Sequence, residues 1–179
     1  PGRAGSETLQ QLSSLGVDVR VLTNSLAATD VMAVHGAYAK YRRKLVERGI
    51  YLYELRPDDG RQKASLFGSS TASLHTKALV IDGASGFVGS FNLDPRSASI
   101  NTEMGILFRD TRLAADLENI FRRQTRPQTS FQISVANGRL VWTDEVKGAE
   151  RKHFSGPGSP WRRIIAAKLI GLMPIESQL

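Results

Sequence analysis

LHTKALVIDGASGFVGSFNLDPRSASINTEMG, residues 74–105, is the stretch on which this chain turns. Leu74–Ile81 and Gly86–Phe91 read as strands joined by a turn at Asp82–Ser85, and a further strand is expected over Glu103–Phe108. On a strand, residues two apart project from one face about 6–7 Å apart. His75 and Lys77 are therefore expected to point together, while Leu74 and Thr76 face away. The Gly89-Ser90-Phe91-Asn92 turn ends the neighbouring strand and can bring Ser90 and Asn92 beside that pair. An imidazole, an ammonium, a hydroxyl and a carboxamide on one spot suit a phosphodiester. Imidazole attacks phosphorus or moves a proton near neutral pH. Lysine and asparagine hold the non-bridging oxygens as charge builds.

Outward from this segment, the preceding residues form a strand–helix–strand unit. Residues 6–15 read as a short helix with Leu9, Leu12 and Leu15 on one side, and Val17–Leu22 alternates like a strand. From Asp30 to Arg48, Val31, Val34, Tyr38, Tyr41 and Leu45 mark one helical face, with Gly49 as its stop. Ile50–Leu55 is the second strand, and the order predicts a right-handed parallel βαβ unit. Residues 57–73 are polar and read as a loop near a binding surface. On the other side, Thr111–Arg123 reads as a helix capped by Asp110, with Leu113, Leu117, Ile120 and Phe121 inward. Gln132–Val135 and Arg139–Trp142 flank Ala136-Asn137-Gly138, a hairpin signal. Ser155–Pro160 is a linker, and Trp161–Met173 a short basic amphipathic helix.

Composition bounds the class. With 179 residues, 41% hydrophobic and 23% charged, the chain has room for a folded domain and its core. No apolar run is long enough to cross a bilayer. There is no cysteine, and His35, His75 and His153 are widely spaced, so no metal or cofactor is expected. The net charge of +7 favours an anionic partner, nucleic acid or an anionic membrane. The chain opens at Pro1 in a segment leading straight into a helix, and reads as a piece of a longer protein.

The motif resembles the HKD signature of the phospholipase D superfamily: His75-x-Lys77-x4-Asp82 followed by Gly89-Ser90-x-Asn92. Leu22–His35, Tyr51–Arg56, Ser90–Ser97, Asn101–Gly105 and the Leu172–Leu179 ending further resemble the second half of bacterial cardiolipin synthases, in the branch without N-terminal membrane spans. The resemblance implies that two histidines from equivalent motifs cooperate, one forming a phosphohistidine and the other protonating the leaving oxygen. It implies phosphate contacts for Lys77, Ser90 and Asn92, an orienting role toward histidine for Glu103, and a bracing role for Asp82 in the turn. This chain holds one such motif, since neither His35 nor His153 has a lysine two residues on.

The expectation is thus an α/β phospholipase D-like lobe, with a mostly parallel central sheet and helices on both faces. Residues 1–126 would be the catalytic lobe, and 127–179 a C-terminal extension with the hairpin and the basic helix. The expected function is phosphatidyl transfer between phospholipids, this chain supplying half of the site, with His75, Lys77, Asp82 and Glu103 as catalytic residues. Ser90, Asn92 and Arg96 are the expected substrate-binding residues, although Arg96 could equally contact Asp94. His75 is assigned as acid/base, with the reverse assignment open. The expected partners are phospholipids, an anionic membrane surface and a missing lobe or second copy. The expected place is the cytoplasmic side of a bacterial membrane, as a peripheral protein. The alternative is a single-motif endonuclease acting as a homodimer, although nucleic acid is not the expected partner. His35 is expected in the core or at a pocket edge, and Arg42, Arg43 and Lys44 on a solvated helix face.

Overall fold

Helix α1 (Arg3–Ser14) and strand β1 (Arg20–Asn24) are followed by helix α2 (Met32–Glu47) and strand β2 (Tyr51–Leu55). These elements belong to a computed structural model of the protein, which describes residues 2–29, 32–57, 77–92, 97, 100–159 and 165. Helix α2 forms where the apolar stripe was read. Tyr38 and Leu45 are buried, and Tyr41 packs against Val19, Leu45 and Ile50. It ends in a Schellman closure, with Gly49 at φ 83° and the Gly49 and Ile50 N–H groups donating to the Val46 and Leu45 carbonyls. Strand β1 starts later than the alternation suggested, because the Val17 N–H still donates to the Leu12 carbonyl and closes α1. Strands β1 and β2 pair in parallel, Arg20 against Tyr51 through Asn24 against Leu55.

Next come β3 (Lys77–Ile81), β4 (Ser85–Gly89), β5 (Gly105–Arg109) and helix α3 (Thr111–Gln124). Asp110 caps α3 as expected, its Oδ1 accepting from the N–H groups of Arg112 and Leu113 at 2.8 and 3.0 Å. Strands β3, β4 and β5 form a separate antiparallel sheet in that order. The half-buried Val80 and Phe108 and the buried Gly86 lie on the face that α3 covers, since α3 contacts β3 and β4.

The chain then returns to the first sheet through β6 (Ser130–Ala136), β7 (Arg139–Val146) and β8 (Ala149–His153). The order there is β1-β2-β6-β7-β8. The β6–β7 turn is the expected one, with Asn137 and Gly138 both at positive φ. Strand β8 had no signal in the sequence reading. It follows a second such turn at Lys147-Gly148.

The α/β class therefore holds, but the expected mostly parallel sheet does not. Only β1 and β2 run parallel among the described strands. A parallel pair needs a crossover such as α2, whereas the tight turns after β3, β6 and β7 reverse the chain. The loop read over 57–73 and the helix read over 161–173 lie outside the described residues, apart from Pro57 and the helical Ile165. Among the described residues, no helix is long and apolar enough to cross a membrane.

The larger sheet carries the core. Tyr38, Leu52, Phe131, Ile133 and Trp142 form one buried cluster, joining α2 to β2, β6 and β7. Set into it is Glu54, 1% exposed. Its Oε1 accepts from Tyr38 Oη at 3.0 Å and from Arg42 at 2.7 Å, and its Oε2 from Trp142 Nε1 at 2.9 Å. Burial, with the Glu54 charge beside it, pushes the Tyr38 phenol well above its ordinary range. Arg42 is therefore not on a solvated face. Its side chain is inside, over the Trp142 ring, while Arg43 stays outside and pairs with Glu47.

A second buried acid, Asp144 on β7, is held by Arg56, Arg151 and His153 at 3.2, 2.8 and 3.0 Å. Burial alone would raise its carboxyl. Hydrogen bonds from Arg151 and His153 and the charges of Arg151 and Arg56 outweigh that and keep it below the ordinary value.

Candidate active site

At the open end of the small sheet, Lys77 pairs with Gly89, and Gly89 with Gly105. The two glycines have a steric cause. A Cβ on Gly89 would sit 2.4 Å from the Met104 carbonyl oxygen and 2.6 Å from Phe87 Cζ. One on Gly105 would lie 2.1 Å from Phe87 Cε2. The Phe87 ring thus lies across both glycines, leaving Lys77 as the side chain of that cross-strand row.

Immediately beyond β4, Ser90 binds the start of β5 from both its backbone and its side chain. Its N–H donates to the Met104 carbonyl at 2.8 Å, and its Oγ accepts from the Met104 N–H at 3.0 Å. The Ser90 hydroxyl proton points to Glu103 Oε2 at 2.5 Å. Asn101 Nδ2 donates to the other carboxylate oxygen at 3.2 Å. The Ser90 hydrogen bond foremost, then those of Ser97 and Asn101 together with the Lys77 charge, lowers the Glu103 carboxyl from its ordinary range. Glu103 is thus an ionised, oriented acceptor at the surface.

Lys77, Ser90 and Glu103 are brought together. Asn92 is exposed two residues past Ser90. Asp82 sits elsewhere: it lies in the β3–β4 turn at φ 51°, where the Ala84 N–H donates to the Ile81 carbonyl. From Lys77 to Ile81 is about 13 Å of strand, so Asp82 is at the opposite end of the hairpin. His75 and Arg96 lie outside the described residues. His35 is buried at 5% exposure, edge-on to Tyr38 at 5.5 Å between ring centroids.

Asn101 and the buried Ser97 are site residues that the sequence reading passed over. Asn101 stands two positions before Glu103, a spacing that permits a local side-chain hydrogen bond. Ser97 gave no such signal, because it meets Glu103 from six positions away.

Comparison with known proteins identifies a family. The family model described as "Cardiolipin synthase, PLD-like domain" matches residues 1–125. "Cardiolipin synthase C" of Escherichia coli K12 is 38% identical over 183 residues, covering 98% of this chain and 38% of that protein. An "Uncharacterized protein" of Helicobacter pylori J99 is 36% identical over 83% of this chain and 29% of its own length. "Cardiolipin synthase" of Listeria welshimeri is 29% identical over 76% of this chain and 25% of its own. The chain thus spans less than two fifths of the length of these relatives. No solved structure matches it. With a family match over more than half its residues, the chain belongs to the cardiolipin synthase, phospholipase D-like family.

Proposed function

We propose that this chain supplies one half of the active site of a phospholipase D-type phosphatidyltransferase acting on phospholipids. The observation that carries it is the convergence of Lys77, the Ser90 hydroxyl and the ionised Glu103 at one end of the β3–β5 sheet. His75 stands two residues before Lys77 in the sequence. Lys77 and Asn92 would hold the non-bridging phosphate oxygens as negative charge gathers on them. Glu103, fixed by Ser90 and Asn101, would orient a protonated imidazole. In the first step one histidine attacks phosphorus and the departing alkoxide takes a proton from the other. In the second, that other histidine removes the proton of the accepting hydroxyl, which displaces the phosphohistidine. His75 fills one of these roles, acid/base in our assignment. The second histidine comes from another lobe or another copy.

The test is an assay of the purified chain with labelled phosphatidylglycerol, at concentrations where light scattering reports only monomer. No transfer product is expected from the monomer, and product should appear when a lobe carrying the other motif is supplied. Robust product from the monomer would overturn the half-site. Cleavage of DNA by a dimer, with no lipid product, would favour the endonuclease.

A further inference from the structure

The donors of Ser90 are already committed. A serine hydroxyl offers one proton and two lone pairs. One lone pair takes the Met104 N–H at 3.0 Å, and the proton goes to Glu103 Oε2 at 2.5 Å. Another acceptor within reach of that proton, the Met104 carbonyl, is farther off at 3.3 Å and already receives the Ser90 N–H at 2.8 Å. Both donors of Ser90 are thus spent on residues 103 and 104. The non-bridging oxygens of a phosphodiester only accept hydrogen bonds. A phosphate contact from Ser90 would therefore cost its charge-assisted bond to Glu103. The resemblance read from the sequence implies such a contact, but the hydrogen bonds favour a different role.

We propose that Ser90 is a positioning residue, which acts on phosphatidyl transfer by holding the Glu103 carboxylate and is not itself a phosphate ligand. The proposal rests on the transfer reading of this site. Ser90 is built into the backbone on both sides of this bond. It follows directly on β4, and the Met104 N–H, just before β5, fixes its oxygen. From there the hydroxyl grips Oε2, while Asn101 holds Oε1. A carboxylate held at both oxygens resists rotation about its last bond, so its remaining lone pairs keep one direction. Removing the hydroxyl frees that rotation. It also raises the proton affinity of Glu103, because the Ser90 bond is the foremost cause of the lowered carboxyl. The bonds from Ser97 and Asn101 and the Lys77 charge stay in place.

The test is a double-variant cycle in a protein holding the complete site, with labelled phosphatidylglycerol as substrate. Ser90→Ala should lower kcat about tenfold and leave KM within about twofold, since orientation is lost and lipid binding is not. Glu103→Ala should lower kcat further. The double variant should be no slower than Glu103→Ala alone, to within about twofold, because Ser90 then has no carboxylate to hold. Thermal melts report that each variant is folded. A raised KM with kcat kept in Ser90→Ala, or losses that multiply in the double variant, would overturn the proposal and return Ser90 to the phosphate. A second measurement needs no lipid. In a carbon-13 NMR titration of this chain, the Glu103 carboxyl should titrate at higher pH in Ser90→Ala than in the unaltered chain, and an unmoved midpoint would also overturn the proposal. Absence of transfer product from the unaltered complete protein would instead remove the transfer reading, while the titration still decides whether Ser90 holds Glu103.

Discussion

Three carboxylates sit in comparable company and do different things. Glu54 and Asp144 in the five-stranded sheet and Glu103 at the three-stranded sheet all accept hydrogen bonds from side chains. Glu54 is enclosed by Tyr38, Arg42 and Trp142, and Asp144 by two arginines and a histidine, with no water-facing side. Glu103 has neutral partners, and a cation attracts it without enclosing it. The buried acids tie strands together, and the surface one is held in place with an open side. Partner count does not separate the structural acids from the one proposed for the site. Exposure does.

Five changes test this contrast, from the largest expected effect to the smallest. Glu54→Ala leaves Arg42 buried beside Trp142 without its counter-charge, and should cost about 3–5 kcal/mol in a urea titration. A loss under about 1 kcal/mol would mean that the Glu54 site takes up water easily. His75→Ala, in a protein holding the complete site, should cut turnover ~100-fold or more, about 2.7 kcal/mol of barrier. The melting profile should not move. Glu103→Gln should cut turnover less, since it weakens orientation and leaves the reacting group. Near-normal turnover in His75→Ala would remove this residue from the chemistry.

Gly89→Ala drives a methyl into the Met104 carbonyl and the Phe87 ring. The expected cost is about 1–3 kcal/mol, with chemical-shift changes confined to β3–β5. If shifts spread through the larger sheet instead, the two sheets are more tightly coupled than their separate hydrogen-bond ladders suggest. Asp144→Asn tests the pH dependence. The Asp144 carboxyl is lower in the folded chain than in the unfolded one. Its contribution is therefore fully present above the ordinary aspartate range, about 3.9, and is lost as pH falls through the lower folded value. Denaturation at pH 6 and pH 3 should show a smaller stability difference in Asp144→Asn than in the unaltered chain. An equal difference would assign the acid sensitivity to other carboxylates.

What the sequence determined by itself was local. The strand parity of Lys77, the Asp110 cap, the Gly49 stop and the Asn137-Gly138 turn depend on neighbours a few residues away, and each stands where it was read. The spacing of His75, Lys77, Ser90 and Asn92 is likewise local, and the proposed phosphate chemistry rests on it. Tertiary structure decided the rest, because it depends on partners that no local pattern encodes. Strand β2 takes β6 as a neighbour across the whole β3–α3 segment, which makes most of the sheet antiparallel. Arg42 looks like a surface cation until Glu54 and Trp142, 88 residues apart, close around it. Ser97 and Asn101 stand out only once their hydrogen bonds to Glu103 are seen in the folded chain. A periodicity shows which face of an element is apolar, but the element that covers that face is chosen by pairing across long stretches of chain.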